Sequence, residues 1–211
     1  MKIFLILSLF SILAHKPNEK VKAEETTNKV VVSWQKNNTL TWDDFRGVPK
    51  SKSVFAAECY WEIQYSYSLN PSRNKVHFDV FCYFNASKSW VKPHQKTDGL
   101  LQHEQIHFDI AELCSRKLRK KLAESSFQEE SFKKDINIIF DDILYLCDSM
   151  QVAYDSQTNH GLNKKQQHFW QENINNSLLD LKEFEKNPDS RLESPLTEEN
   201  FIARLFRKLN F

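Results

Sequence analysis

The stretch that most constrains this chain is Leu100-Leu101-Gln102-His103-Glu104-Gln105-Ile106-His107, which carries the pattern His-Glu-x-x-His. In a helix, residues four apart stand one above the other, so His103 and His107 point the same way and Glu104 lies on the flank of that face. The flanking sequence is helical. Thr97 and Asp98 are good N-cap residues, and Leu100, His103, His107, Ile110, Ala111, Cys114, Leu118 and Leu122 recur at intervals of three and four. The spacing predicts a helix from about Asp98 to Glu124, with Arg116, Lys117, Arg119, Lys120 and Lys121 crowding the end that suits cations. Two neutral imidazoles can take two corners of a tetrahedral Zn²⁺, a third protein ligand another, and the open corner a water for Glu104 to deprotonate.

Before that helix the periodicity is two rather than three or four. Phe55, Ala57, Cys59, Trp61, Ile63, Tyr65, Tyr67 and Leu69 alternate with mostly polar residues, and Val76, Phe78, Val80, Cys82, Phe84 and Ala86 do so again. Turn chemistry at Asn70-Pro71-Ser72-Arg73-Asn74 joins the two runs, which predicts a long antiparallel hairpin. A short strand is expected at Lys29 to Trp34 and an aromatic-anchored turn at Leu40 to Pro49. After the first helix, Ile136, Ile139, Phe140, Ile143, Leu144, Cys147 and Met150 predict a second. A third is expected from Lys164 to Phe184, then a linker with Pro188 and Pro195, and a short amphipathic helix over Thr197 to Leu209. The expected class is α+β: an N-terminal antiparallel sheet with the long hairpin, packed on a C-terminal helical part that carries His103 and His107.

Met1-Lys2 followed by an apolar run from Ile3 to Ala14 is too short to span a bilayer as a folded helix and reads as a secretory signal ending near Ala23, with cleavage after Ala14 and an uncleaved anchor as the alternatives. The expected organisation is therefore a signal over 1–23, one domain over 24–185, and a linker with a short helix over 186–211. The mature protein would be secreted or periplasmic, with no stable membrane span. A net charge of +1, with Lys and Arg scattered, gives no footprint for nucleic acid. Export permits disulfides among the four cysteines, Cys59, Cys82, Cys114 and Cys147, and buried free thiols are the alternative. Folding the hairpin about its turn puts Cys82 near Trp61, one step diagonal from Cys59. Cys114 and Cys147 stand at different heights on their helices, which disfavours that bridge.

Two histidines alone hold zinc weakly, so a further donor is needed. An antiparallel second helix delivers Tyr154 to Gly161 back beside His103 and His107. His160 is the first choice for the third ligand, with Gly161 allowing a tight approach, and Asp155 is the second choice. Asp155 could instead orient a histidine. Tyr154 suits either a developing oxyanion or a buried place under the site, and Glu112 suits pairing with Arg116 or bracing a ligand. His94 could reach the site; His77 and His168 read as ordinary strand and helix residues.

The stretch from Leu100 to Glu112 combines with Tyr154-Asp155-x-x-Thr158-x-His160-Gly161, with Gln166-x-x-x-Trp170, and with Leu40-Thr41-Trp42-Asp43-Asp44-Phe45-x-Gly47-x-Pro49. Together they resemble a bacterial domain-of-unknown-function family designated as predicted secreted zinc-dependent proteases. The resemblance covers about Trp34 to Leu181 and implies a zincin-like, exported metallopeptidase domain.

The expected function is hydrolysis of peptide bonds with Zn²⁺ as cofactor, Glu104 as general base and a peptide or protein substrate. The strand before the helix could take an extended peptide by edge pairing. The alternatives are an exported binding module with a structural metal, and a zinc amidohydrolase acting on a non-peptide or cell-wall amide.

Overall fold

A computed structural model describes residues 31–37, 39–70, 74–186 and 192–197. The expected signal, and the expected terminal helix apart from Thr197, lie outside these residues. The architecture is mixed α and β. Strand β1 (Val31–Ser33) is followed by β2 (Ala57–Glu58), β3 (Trp61–Asn70), β4 (Lys75–Asn85) and β5 (Trp90–Val91). Helix α1 (Asp98–Ala123), β6 (Phe127–Gln128), α2 (Phe132–Thr158), α3 (Lys164–Asp180) and β7 (Leu192–Thr197) complete the order.

The alternating pattern forms the long hairpin, with β3 and β4 paired antiparallel from Trp61↔Phe84 to Asn70↔Lys75. Trp61, Ile63 and Tyr65 from β3, and Val76, Phe78, Val80, Cys82 and Phe84 from β4, are buried on the face that alternation predicts. This register sets Cys82 opposite Ile63, two residues away from the position expected opposite Trp61 and further from Cys59. All four cysteines are free and buried, so neither bridge forms.

Helix α1 lies against the sheet and is flanked by α2 and α3, so most of its circumference is covered. Thr97 caps its start by accepting from the Leu100 N–H, as expected of a Thr before an amphipathic run. Ile106, Phe108, Ile110, Ala111, Leu113, Cys114, Leu118 and Leu122 are buried along it. Aromatic pairs tie the layers together: Phe84 meets Phe108, and Tyr65 of β3 meets Phe140 of α2.

Phe127–Gln128, expected as a connection, is strand β6, and α3 ends at Asp180 rather than Phe184; two further differences bear on the site and its support. The stretch with Pro195, expected as linker, is strand β7, antiparallel to β4 and parallel to β6. Leu196 donates its N–H to Asn74 O at 2.8 Å, so by alternation the nitrogen of Pro195 faces away from β4 and no ladder bond is lost. Helix α2 also runs eight residues beyond the apolar stripe that ends at Met150, reaching Thr158. The segment from Tyr154 onward, expected as a returning loop, is therefore the last turn of a helix, closed by Asn159 in the left-handed conformation.

Candidate metal centre

Three elements build the site. Helix α1 supplies His103 and His107 one turn apart, with rings 4.8 Å apart. Helix α2 supplies Gln151, Tyr154 and Asp155 from its final turns, and α3 supplies Gln167. The Nε2 atoms of His103 and His107 are 3.2 Å apart, and each is 3.1 Å from Asp155 Oδ1. Tetrahedral corners around an ion with arms of about 2.0–2.1 Å stand roughly 3.3 Å apart, so this triangle is close to three such corners.

Hydrogen bonding on the far side of each ring decides what these atoms are. Gln151 donates from Nε2 to the His107 carbonyl at 2.9 Å, which turns its Oε1 toward His107 Nδ1. Gln167 Oε1 lies 3.1 Å from the Tyr154 hydroxyl and 3.2 Å from His103 Nδ1. Both glutamine oxygens are acceptors, so each imidazole carries a hydrogen on Nδ1 and turns its Nε2 toward the other ring and Asp155. Asp155 Oδ1 is buried beside them with no hydrogen-bond donor. Three acceptors facing one another without a donor repel unless a cation sits among them. The donor set fits a metal ion on chemistry as well as spacing, and the same three residues form the group among the described residues able to hold one.

A proton is the one cation the chain itself can place there. Burial pulls His107 down, but the hydrogen bond and charge of Asp155, with the charge of Glu104, outweigh it and hold His107 up at about 9. Burial and the neighbouring His107 pull His103 below its usual value. Burial would raise Asp155, yet its contacts with the two imidazoles hold it well below the carboxylate range. Glu104 is buried, desolvation being the main cause of its rise to about 7, while His107 and a hydrogen bond from the Cys59 backbone oppose the rise.

The preferred third ligand of the sequence reading, His160, does not join this group. Its Nδ1 lies 3.4 Å from Asp155 Oδ1, its side chain is half exposed, and its ring packs on Phe55 at 5.2 Å. The physical reason is the length of α2. Because the helix persists through Thr158, Asp155 stays on the same helical face as Gln151 and points at α1. His160 falls after the cap, in a run where Asn159, His160 and Gly161 all have positive φ.

Gly161 is required there for two reasons. Its φ is 79°, and an added Cβ would stand 3.1 Å from His103 Cβ. Tyr154 is fully buried under the site, stacked on His103 with centroids 4.7 Å apart. Glu112 pairs with Arg116 at 3.0 Å, two turns beyond the histidines.

Residues 45–161 match the family described as a bacterial protein of unknown function (DUF922), which is just over half of the 211-residue chain. The chain belongs to the DUF922 family. No curated protein and no solved structure matches it. The part of this DUF922 chain that matches holds His103, Glu104, His107, Gln151, Tyr154, Asp155 and His160, and ends before Gln167. Gln151 and Gln167 escaped the sequence reading. A glutamine one turn before Asp155, on a face otherwise apolar at Cys147 and Tyr154, was the one available signal for Gln151. Gln167 carried none.

Proposed function

We propose that this chain is a zinc-dependent metallopeptidase of zincin-like type, acting outside the cytoplasm, with His103, His107 and Asp155 as ligands and Glu104 as general base. The observation that carries the reading is the triangle of the two Nε2 atoms and Asp155 Oδ1, 3.1–3.2 Å apart, with the buried carboxylate of Glu104 on the same helix. Bound zinc would supply Lewis acidity toward a substrate carbonyl and toward water.

The chain's own residues do the rest. Glu104, next to His103 on α1 and buried, would take a proton from an attacking water and return it to a leaving nitrogen. Gln151 and Gln167 keep both imidazoles in the Nδ1–H tautomer that turns Nε2 inward. Tyr154 braces the floor by stacking on His103. Three ligands leave a corner for water, which favours a catalytic over a structural metal. Export rests on the apolar run after Lys2, and zinc rather than another ion rests on the imidazole and carboxylate donor set.

The test is zinc reconstitution followed by digestion of a broad peptide mixture read by mass spectrometry. Zinc near one per chain, with cleavage removed by Glu104→Gln, is the expected result. A fully loaded native protein that cleaves no peptide sinks the peptidase reading. Release of products only from muropeptides would move it to the amidohydrolase.

A further inference from the structure

We infer that residues 198–211, which follow β7 and lie beyond the described residues, dock as an amphipathic helix in the apolar cleft that α1 floors between α2 and α3. The inference goes beyond the metallopeptidase reading and does not depend on it.

The cleft has a volume of about 270 Å³. Leu113 and Lys117 of α1, Leu146 and Met150 of α2, and Phe169 and Ile174 of α3 line it. Leu113 and Ile174 are buried at its base, whereas Phe169 is 56% exposed and Leu146 38%. An apolar rim left in water above an apolar base is the shape that the greasy face of a helix fills. Trp170 also lines the cleft and meets the Tyr154 ring edge-on at 5.5 Å, so its occupant backs the floor of the metal centre.

Pattern, reach and charge name the occupant. In residues 198–211, Phe201, Ile202, Leu205, Phe206 and Leu209 recur at the spacing of one helical face, and Arg204, Arg207 and Lys208 fall off it. β7 runs parallel to β6 with Thr197 beside Gln128, and the chain after Gln128 enters α2 at Phe132. The segment therefore leaves β7 beside the start of α2. From Phe132 to Met150 along that helix is about 27 Å. Three extended residues followed by eleven helical ones carry a chain about 26 Å, which takes residues 198–211 to the far end of the cleft.

The charges follow in matching order. α1 ends in Lys117, Lys120 and Lys121, and the segment starts beside that end with Glu198 and Glu199. Farther on, Asp142 stands one turn before Leu146 on α2, and Asp180 three residues after Ser177 on α3. Both are exposed, and neither has an ion-pair partner among the described residues. On the same scale of reach Arg204 stands about 14 Å past Thr197 and Asp142 about 15 Å past Phe132, so the basic run arrives where the lips of the cleft are acidic.

Proximity within the 211-residue chain tests this. Leu209 and Leu146 fall at about 22 Å and 21 Å on that scale, and the native cysteines are buried. Dilute protein carrying Leu209→Cys with Leu146→Cys, oxidised with diamide, should form a disulfide within one chain, mapped by peptide mass spectrometry. Leu209→Cys with Val48→Cys, on the exposed loop before β2, should link at least about tenfold more slowly. Adding Phe201→Glu and Leu205→Glu to the first pair should slow its link at least about tenfold. Adding Asp142→Lys instead should slow it about two- to fivefold, and Arg204→Glu on top should recover most of that loss.

A link that forms between chains gives the cleft to a second copy and overturns the inference. A link no faster than the Val48→Cys control overturns it as well, and binding of that protein to anionic phospholipid vesicles would then assign the segment to a membrane surface.

Discussion

Helix α1 carries two buried polar clusters two turns apart, and they are built on opposite principles. At the second, Glu112 accepts from Arg116 and Arg119, each at 3.0 Å. Arg116 also reaches Glu185 at 3.0 Å and the Leu178 carbonyl, and Arg119 reaches the carbonyls of Val80 and Phe184. Two cations meet two carboxylates and three backbone carbonyls, so the charges balance within the chain, with Arg116 Nη2 meeting Glu185 as an ion pair without a hydrogen bond. At the first, His103, His107 and Asp155 bring three ligand atoms together, and the one cation the chain itself places among them is a proton. A buried cluster whose charges balance holds the fold together; one whose only cation is an exchangeable proton could give its place to a metal ion.

The sharpest way to break this contrast is Glu104→Gln. Loss of a general base should lower hydrolysis by about 10²–10⁴-fold while zinc per chain, read by mass spectrometry of the metal, stays near one. Next is Glu112→Ala, which strands two buried guanidinium groups and should cost about 3–5 kcal/mol in denaturant unfolding, with metal stoichiometry unchanged. If Glu112→Ala also strips the metal, the two clusters are not independent and the comparison fails.

Asp155→Ala against His160→Ala sharpens the ligand assignment. The first should weaken zinc by more than about 100-fold in competition with a chelator, and the second should leave stoichiometry intact. The reverse order would restore His160 as the ligand. Gln151→Leu should weaken zinc by about 10–100-fold, because nothing then holds the hydrogen on His107 Nδ1.

The smallest effect is on pH. In metal-free protein His107 stands at about 9 against an ordinary 6.5, so its contribution to stability is full below pH 6.5 and is lost as pH rises through about 9. Asp155, held low, contributes above its ordinary 3.8 and loses that contribution in acid. Denaturation midpoints of metal-free protein should therefore fall between pH 6.5 and 9. Zinc affinity should climb over the same interval as the competing proton leaves, by at most about tenfold per unit. A midpoint that does not move across that interval would remove His107 as the proton holder.

The elements that periodicity alone could specify came out as the alternation demands. The hairpin buries Ile63, Tyr65, Phe78 and Val80 on one face, and α1 begins at Asp98 behind its Thr97 cap. Such features depend on neighbours within one or two turns, and the chain states them locally. Cys59 and Cys82 show the first limit. Whether they oppose each other depends on a register shift of two residues, which leaves the buried face unchanged and so leaves no trace in the pattern.

β7 shows a second limit. Leu192, Ser194 and Leu196 alternate, yet Pro195 marks a linker until a partner strand fixes which side of Pro195 needs no N–H.

For the site, the amino-acid sequence by itself determined the two imidazoles and Glu104, because a four-residue spacing on one helix is a local fact. Only the tertiary structure decided the remainder. Asp155 rather than His160 faces the histidines because α2 continues through Thr158, and the rotational phase of a helix at its last turn is set by where packing and Asn159 end it. Gln151 and Gln167 became tautomer-setting partners through contacts across 44 and 64 residues of chain, a distance over which no spacing rule operates.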